Sequence, residues 1–366
     1  MNNTLPRWVD IGLIPLVNLI LAFVVSGLVV LAIGENPIEA MKFLVIGAFG
    51  SSYGIGYTLF YATSFIFTGL AVAIAFHAAL FNIGGEGQAG IGGLGVALIA
   101  LSLDWTNWVV IFPLAIIGSA LFGAAWAAIP AYLQAKRGSH IVITTIMFNY
   151  IASALLVYLL VNQLKVEGSM APETRRFADQ AALPLMNQML GWVGISVTKT
   201  PLNLSFFWAL VCLVGVWIVL WRTKLGYEIR AYGHSEPAAR YAGISPSRII
   251  MIVMLVSGAL AGMMALNVVI GGYSQKLVND PIQGFGFVGI AVALMGRSHP
   301  LGVLLASILF GALYQGGSEL AFEMPAITRE MILVIQALVI LFTGALENMT
   351  RQPLERFFLA MQKRNG

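Results

Sequence analysis

The sequence is short of charge. Only 10% of its 366 residues are Asp, Glu, Lys or Arg, whereas 59% are hydrophobic and the mean hydropathy is +0.86. Soluble domains carry about a quarter charged residues, so the deficit excludes an ordinary water-soluble fold. There is one cysteine, Cys212, which excludes an intramolecular disulfide and any CxxC metal or redox motif. It reads as a small apolar residue inside a hydrophobic run and says nothing about compartment. The chain also lacks G-x-x-x-x-G-K-[ST] and H-E-x-x-H, which excludes an ATPase phosphate loop and a zinc-hydrolase helix of its own. GSSYG at 50–54 fits G-x-S-x-G, but that pattern marks a nucleophile only at a strand-to-helix turn, and here it precedes an apolar run. No catalytic set, metal site or bound cofactor is therefore expected. Alternating ten-residue segments are missing too, which excludes a transmembrane β-barrel.

What is present is a series of apolar runs near the length that carries a helix across a ~30 Å hydrocarbon core. They fall at 11–33, 58–80, 86–103, 108–133, 140–161, 204–221, 248–270, 285–296, 301–321 and 331–346. The expectation is an all-α polytopic membrane protein of about ten spans, a single permease-like domain over 1–366, with the eighth run too short to cross alone. The first run is too long for a signal-peptide core and lacks an A-x-A site, so it reads as a span. With the N-terminus inside, the cytoplasmic segments hold most of the basic residues, among them Lys136, Arg137, Arg222, Lys224, Arg230, Arg240, Arg248 and Arg297. The positive-inside rule then places both termini in the cytoplasm and 162–203 in an extracytoplasmic loop. The net charge of +4 reflects this membrane bias, and no nucleic-acid partner is expected.

An internal echo divides the chain. SALFGA (Ser119–Ala124) lies in the fourth run and SILFGA (Ser307–Ala312) in the ninth. Five spans separate them, an odd number, so the two copies face opposite ways across the bilayer: an inverted repeat. Upstream of each stands a glycine-interrupted segment, GGEGQAGIGGLG (Gly84–Gly95) and PIQGFGFVGIAVALMG (Pro281–Gly296). Paired interruptions point to a translocation site, because unwound backbone at membrane depth is tolerated only inside protein or along a wet cavity.

The first interruption carries Glu86. A charged side chain at a helix centre costs about 2.5–3.5 kcal/mol on insertion scales, so it should face a cavity, find a partner or sit near an interface. His77 is one possible partner; alternatively Glu86 caps the start of the third span through the helix dipole. Asn82, Gln88, Asn149, Asn267, Gln315 and Gln336 are amides in or beside spans. They are suited either to a polar uncharged cargo or to gluing helices together. The pathway candidates are Asn82, Glu86, Gln88, Asn149, Asn267, Gln315 and Phe285, which heads the second break.

The loop at 222–247 is the most informative polar region. Ser235 is a good N-cap, Pro237 suits a first turn, EPAARYA forms about two turns and Gly243 is a plausible stop. A helix this short is marginal alone, so a partner surface is expected to hold it.

Four stretches carry a resemblance: GLAVAIAFHAALFNIGGEGQAGIGG (Gly69–Gly93), ITTIMFNYIA (Ile143–Ala152), LGYEIRAYGHSEPAARYAGIS (Leu225–Ser245) and GFVGIAVALMGRSHPLGVLLASILFGAL (Gly286–Leu313). Together they resemble the permease subunits of bacterial ABC importers related to the branched-chain amino acid, ribose and cobalamin systems, most nearly the nucleoside branch. The resemblance implies a type II importer-like fold with about ten spans in two inverted halves, with broken helices and both termini cytoplasmic. It places Tyr227, Arg230, Glu236, Arg240 and Tyr241 in the segment that docks on the ATPase, and Asn82, Glu86 and Gln88 in an N-I-G-x-E-G-Q signature. His77 departs from it, since relatives commonly carry arginine there, and a pair with Glu86 would be weaker and pH-dependent.

The resulting expectation is a permease of the bacterial inner membrane that translocates a small polar solute, most of all nucleosides. It would work with ATP-binding subunits that hold ATP and Mg, a second identical or paralogous permease, an extracytoplasmic solute-binding protein and membrane lipid. An ion-coupled secondary transporter using Glu86 and His77 as a proton relay is the alternative. An intramembrane enzyme using Ser52, Glu86 or His140 lacks a catalytic constellation.

Overall fold

The computed structural model describes residues 13–342 except 167 and 273, together with Val9 and Pro353. Both chain termini and the end of the tenth expected span, 343–346, lie outside the described residues. The described residues form helices α1 (Ile14–Ile33), α2 (Pro37–Phe49), α3 (Ser52–His77), α4 (Gly85–Ser102), α5 (Trp108–Arg137), α6 (Ile141–Asn162), α7 (Met186–Gly191), α8 (Ser205–Arg222), α9 (Lys224–His234), α10 (Glu236–Tyr241), α11 (Pro246–Met263), α12 (Phe285–Met295), α13 (Pro300–Glu323) and α14 (Arg329–Ile340). A π turn, Leu266–Ile270, follows α11. Among the described residues no strand forms; extended segments make only the isolated bridges Glu173 to Val278 and Leu185 to Asn203.

Every expected span has its helix. Seven are long and apolar enough to cross a membrane: α1, α3, α5, α6, α8, α11 with its π turn, and α13. The protein is a multi-pass membrane protein. The 18 residues of α4 fall outside that set because its first turns are glycine, Glu86 and Gln88. α12 has 11 residues. At 1.5 Å per residue it extends only about 16 Å, half a bilayer core.

Three helices, α2, α7 and α9, have no counterpart among the expected elements. α2 starts where Asn36 Oδ1 accepts from the Ile38 amide at 3.0 Å, with Pro37 in the first turn; Glu39, Lys42 and Gly47 break its apolar run. α9 starts where Thr223 Oγ1 accepts from the Gly226 amide at 3.1 Å.

The chain forms two compact units. One comprises 52–311; the other draws its described residues from 13–51 and 312–342. In the smaller unit Val30, Ala40, Leu320, Met324, Ile327, Ile332 and Ile335 make an apolar core. In the larger unit α3 is the central helix, buried throughout 62–75.

In the larger unit the two expected halves interlock. α4 and α5 of the first half pack on α11 of the second, and α12 of the second half packs on α3 of the first. α5 and α11 approach so closely that a Cβ on Gly262 would collide with the Ser119 carbonyl, and one on Gly123 with the Gly258 carbonyl. The matching glycine of the second copy, Gly311, leaves no room for a Cβ against the Thr58 carbonyl of α3. Small residues at these crossings let backbones meet where lipid supplies no hydrophobic drive. SALFGA and SILFGA are thus helix-crossing motifs that occupy equivalent places in the two halves.

Candidate functional site

The first break is the stretch between His77 and Gly85, and its hydrogen bonds are closed internally. Asn82 Nδ2 donates to Gln88 Oε1 at 2.9 Å and to Ser257 Oγ on α11 at 2.8 Å. Its Oδ1 accepts from the Gly84 amide at 2.9 Å and from Gln88 Nε2 at 3.1 Å. Asn149 on α6 clamps the other side: its Oδ1 accepts from the Gly87 amide and its Nδ2 donates to the Ile83 carbonyl, both at 2.9 Å. Buried backbone that no helix satisfies is therefore satisfied by amide side chains, as membrane depth requires.

The second break ends at Gly284, whose φ of +85° is left-handed and directs the chain into α12. The two breaks meet there. Glu86 Oε1 accepts from the Gly284 amide at 2.7 Å and Oε2 from the Gly286 amide at 2.8 Å. A Cβ on Gly286 would press on the Glu86 backbone, and Gly85 packs against the Gly286 carbonyl. The positive ends of α4 and α12 thus converge on one carboxylate, which satisfies two of the first amides of α12.

Glu86 stands in the first turn of α4, as the capping reading expects, but its hydrogen bonds go elsewhere. The carboxylate caps a helix, but it is the broken helix of the other half, 198 residues away for Gly284. His77 is not its partner. The His77 ring bonds the Ser298 carbonyl through Nε2 at 3.1 Å and meets the Trp221 ring edge-on at 5.2 Å.

Beside Glu86 lies a cavity of about 40 Å³, lined by Glu86, Gly87 and Gly90 of α4, by Asn149, Ala152, Ser153 and Leu156 of α6, and by residues 279–282. It has room for a few water molecules and not for a sugar or nucleoside.

The remaining candidates are spread more widely. Asn267, in the π turn, donates to the Phe60 carbonyl and Ser64 Oγ of α3, both at 2.8 Å, and accepts from Asn203 Nδ2 and Ser205 Oγ. Phe285 is buried, its ring 5.9 Å from Tyr61 and 5.2 Å from Phe65. Gln315 belongs to the smaller unit, where Nε2 donates to Glu319 at 3.1 Å. Cys212 is half-buried against the Met263 sulfur.

The 222–247 segment folds into α9 and α10. Ser235 Oγ accepts from the Ala238 amide at 3.4 Å, Pro237 sits in the first turn and Gly243 adopts φ +82°, so the expected start and stop both form. Glu236 and Arg240 make an exposed i,i+4 pair at 2.8 Å, and Tyr241 is 97% exposed. Tyr227 is exposed on α9, while Arg230 turns back to the Leu220 carbonyl. α9 lies against the end of α3: Gly233 has no space for a Cβ over the His77 carbonyl, the residue from which the first break departs. No local pattern marks this contact, nor Gly284 and Gly286 as partners of Glu86.

The family described as "Branched-chain amino acid transport system / permease component" matches residues 54–344. The chain is 36% identical to the nucleoside ABC transporter permease protein NupB of Lactococcus lactis, covering 90% of each chain. It is 34% identical to the guanosine ABC transporter permease protein NupP of Bacillus subtilis, covering 91% of this chain and 93% of that one. It is 33% identical to the glucose ABC transporter permease protein TsgB13 of Haloferax volcanii, covering 93% and 88%. No solved structure matches.

Proposed function

Because the chain belongs to the family of branched-chain amino acid transport system permease components, we propose that it is the membrane subunit of an ATP-driven nucleoside importer. Two of the three relatives compared above are named for nucleosides or guanosine. The third is named for glucose, a polyhydroxylated neutral ring like the ribose of a nucleoside. In this reading the chain lies in the bacterial cytoplasmic membrane with both termini inside and pairs with a second, identical or paralogous permease. An extracytoplasmic solute-binding protein delivers the solute, and ATP with Mg is held by separate ATP-binding subunits.

The observation that carries the mechanical part is α10. It is a capped two-turn helix whose Glu236, Arg240 and Tyr241 side chains are exposed, joined through α9 to the end of α3. Docked on an ATPase, α10 would move with it, and α9 would pass that displacement to His77 and so to the break held by Asn82, Gln88 and Asn149. The Glu86 contact would carry it to the opposite half. Apart from the Glu86 and Asp280 carboxylates, the groups at the breaks are amides and backbone, which suits a neutral solute rather than an anion.

The test is uptake by the assembled complex in proteoliposomes, with purine and pyrimidine nucleosides, glucose and branched-chain amino acids offered in parallel. ATP-dependent accumulation of nucleosides supports the reading. Accumulation driven by a proton gradient without the ATPase would replace it with an ion-coupled transporter, and preference for another solute class would refute the nucleoside assignment.

A further inference from the structure

The cavity beside Glu86 lies at membrane depth. Its α6 wall runs from Asn149 to Leu156 in a helix that spans Ile141–Asn162. At 1.5 Å per residue those positions are about 12 and 22 Å along a 33 Å helix, its middle third. A second ruler agrees. Phe285 touches Tyr61 and Phe65, about 14–20 Å from the Ser52 end of α3.

The third wall, residues 279–282, is irregular, and Asn279 and Asp280 on it are exposed. Asp280 has φ +52° and Gln283 +55°, and Asp280 Oδ1 accepts from the Gln283 amide at 3.2 Å, so a local turn presents the carboxylate outward. The preceding residues are fastened to the 162–203 loop by the Thr174 amide on the Leu277 carbonyl at 3.0 Å and by the Lys276–Glu173 ion pair at 2.6 Å. From that fastening the chain descends past Asp280 to the Glu86 contact. Exposed irregular backbone carrying a carboxylate and an amide cannot face hydrocarbon; it must line water or be covered by protein.

We propose that Asp280, with Asn279 and Ser153 beside it, is a hydroxyl-binding station at the mouth of the break, accepting from the vicinal diol of the solute's sugar ring. The proposal rests on the nucleoside reading and names the part of the solute that this wall recognises. An ionised carboxylate only accepts hydrogen bonds, and with one bond from Gln283 it keeps lone pairs for two adjacent hydroxyls. Asn279 and Ser153 add donors and acceptors. Two carboxylates on one small cavity, Glu86 and Asp280, repel anionic solutes and favour neutral polyols. The cavity is too small to enclose the solute, so the station acts at its rim, on the side a second permease would close.

The experiment is ATP-driven uptake by the full complex in proteoliposomes, comparing a purine ribonucleoside with its 2′,3′-dideoxy analogue. Each is supplied at a level that saturates the solute-binding subunit. Wild-type protein is expected to favour the ribonucleoside. Asp280→Ala should reduce that preference about tenfold, equivalent to 1.4 kcal/mol, by slowing the ribonucleoside and leaving the analogue unchanged. Asn279→Ala should act in the same direction, less strongly. Both side chains are exposed, so assembly by gel filtration should match wild type. An unchanged preference in Asp280→Ala, or an equal loss for both solutes, would overturn the station while the nucleoside reading stands. Failure of the wild-type complex to import the ribonucleoside would overturn that reading, and the station with it.

Discussion

Replacing Glu86 tests whether a polar contact between the two breaks, rather than apolar packing, holds this part of the fold. The carboxylate accepts from the Gly284 and Gly286 amides at 2.7 and 2.8 Å. Hydrogen bonds to a charged group contribute about 1.5–3 kcal/mol each, so the pair supplies roughly 3–6 kcal/mol. Desolvating the carboxylate offsets part of this, and the positive ends of two helices return up to about 2 kcal/mol. In Glu86→Ala the adjoining cavity lets water reach the two orphaned amides, and the expected net loss is about 2–4 kcal/mol. In Glu86→Leu the side chain fills that space, excludes water and accepts nothing. Each amide left unsatisfied costs about 1–3 kcal/mol, so Leu should be at least about 1 kcal/mol worse than Ala although it is more apolar. Glu86→Gln keeps one acceptor and points its NH₂ at the other amide, which places it near Ala. Unfolding in SDS titrations of mixed micelles, followed by tryptophan fluorescence, measures the order. If Glu86→Leu is as stable as wild type, or more stable than Glu86→Ala, burial of apolar surface governs the site and the reasoning is refuted.

Other substitutions probe separate links. Gly286→Ala inserts a methyl group against the Glu86 backbone; it should part the breaks, cost about 1–3 kcal/mol by overpacking and lower uptake without altering solute binding by the delivery subunit. Gly262→Ala and Gly311→Ala wedge equivalent helix crossings in the two halves, so both should destabilise by similar amounts in the same SDS assay. Glu236→Ala with Arg240→Ala removes an exposed pair that contributes at most about 0.5 kcal/mol, so thermal stability should barely change. Transport-coupled ATP hydrolysis should nevertheless fall sharply, and persistence of both uptake and coupling would show that α10 is not the docking helix. Asn267→Leu removes two donor bonds to α3 and the acceptor of Ser205 Oγ at depth, while Asn203 keeps its bonds to the Pro201 and Gly271 carbonyls; it should cost about 1–3 kcal/mol, visible as loss of folded protein on extraction.

The helical plan and the location of the breaks were legible because they depend on local features. Runs of apolar residues place the spans, and the polar cluster Asn82–Gln88 marks the neighbourhood of the first break; the glycine-rich stretches expected to be unwound are instead helical, in α4 from Gly85 and in α12 from Phe285, and the breaks lie just before them. Ser235, Pro237 and Gly243 specify α10 within a single turn of neighbours. α2 and α9 were not legible, since charges and glycines interrupt their apolar pattern while side-chain caps at Asn36 and Thr223 initiate them. The site was half legible. Glu86, Asn82, Gln88 and Asn149 drew attention as polar groups in an apolar chain, but their partners could not be read off. Gly284 and Ser257 lie 198 and 175 residues from the groups they meet, and no local pattern encodes such a pairing. Asp280 stands between two expected spans, where an aspartate reads as a solvated loop residue until depth is measured along α6.

The amide contacts imply how the two halves must move. The first break reaches across the repeat: Asn82 donates to Ser257 of α11, whose hydroxyl in turn donates to the Ala71 carbonyl of α3 at 2.6 Å. Asn267, close to the second break, reaches the opposite way and donates to Ser64 of the same α3. Each half therefore braces its interruption on a long helix of the other, and α3 and α11 form a shared frame. Separating the halves as rigid bodies would expose all of these buried groups at once, with about 1–3 kcal/mol lost for each left unsatisfied. Tilting α4 and α12 against the frame disturbs fewer bonds, chiefly the Glu86 contact with the Gly284 and Gly286 amides, beside a cavity with room for water to take over. An opening motion should thus start where α4 meets α12. Thiol labelling at position 153, where Ser153 lines the cavity, should then change with nucleotide state in the assembled complex, while labelling at position 257 stays constant; the reverse pattern would place the hinge in the frame itself.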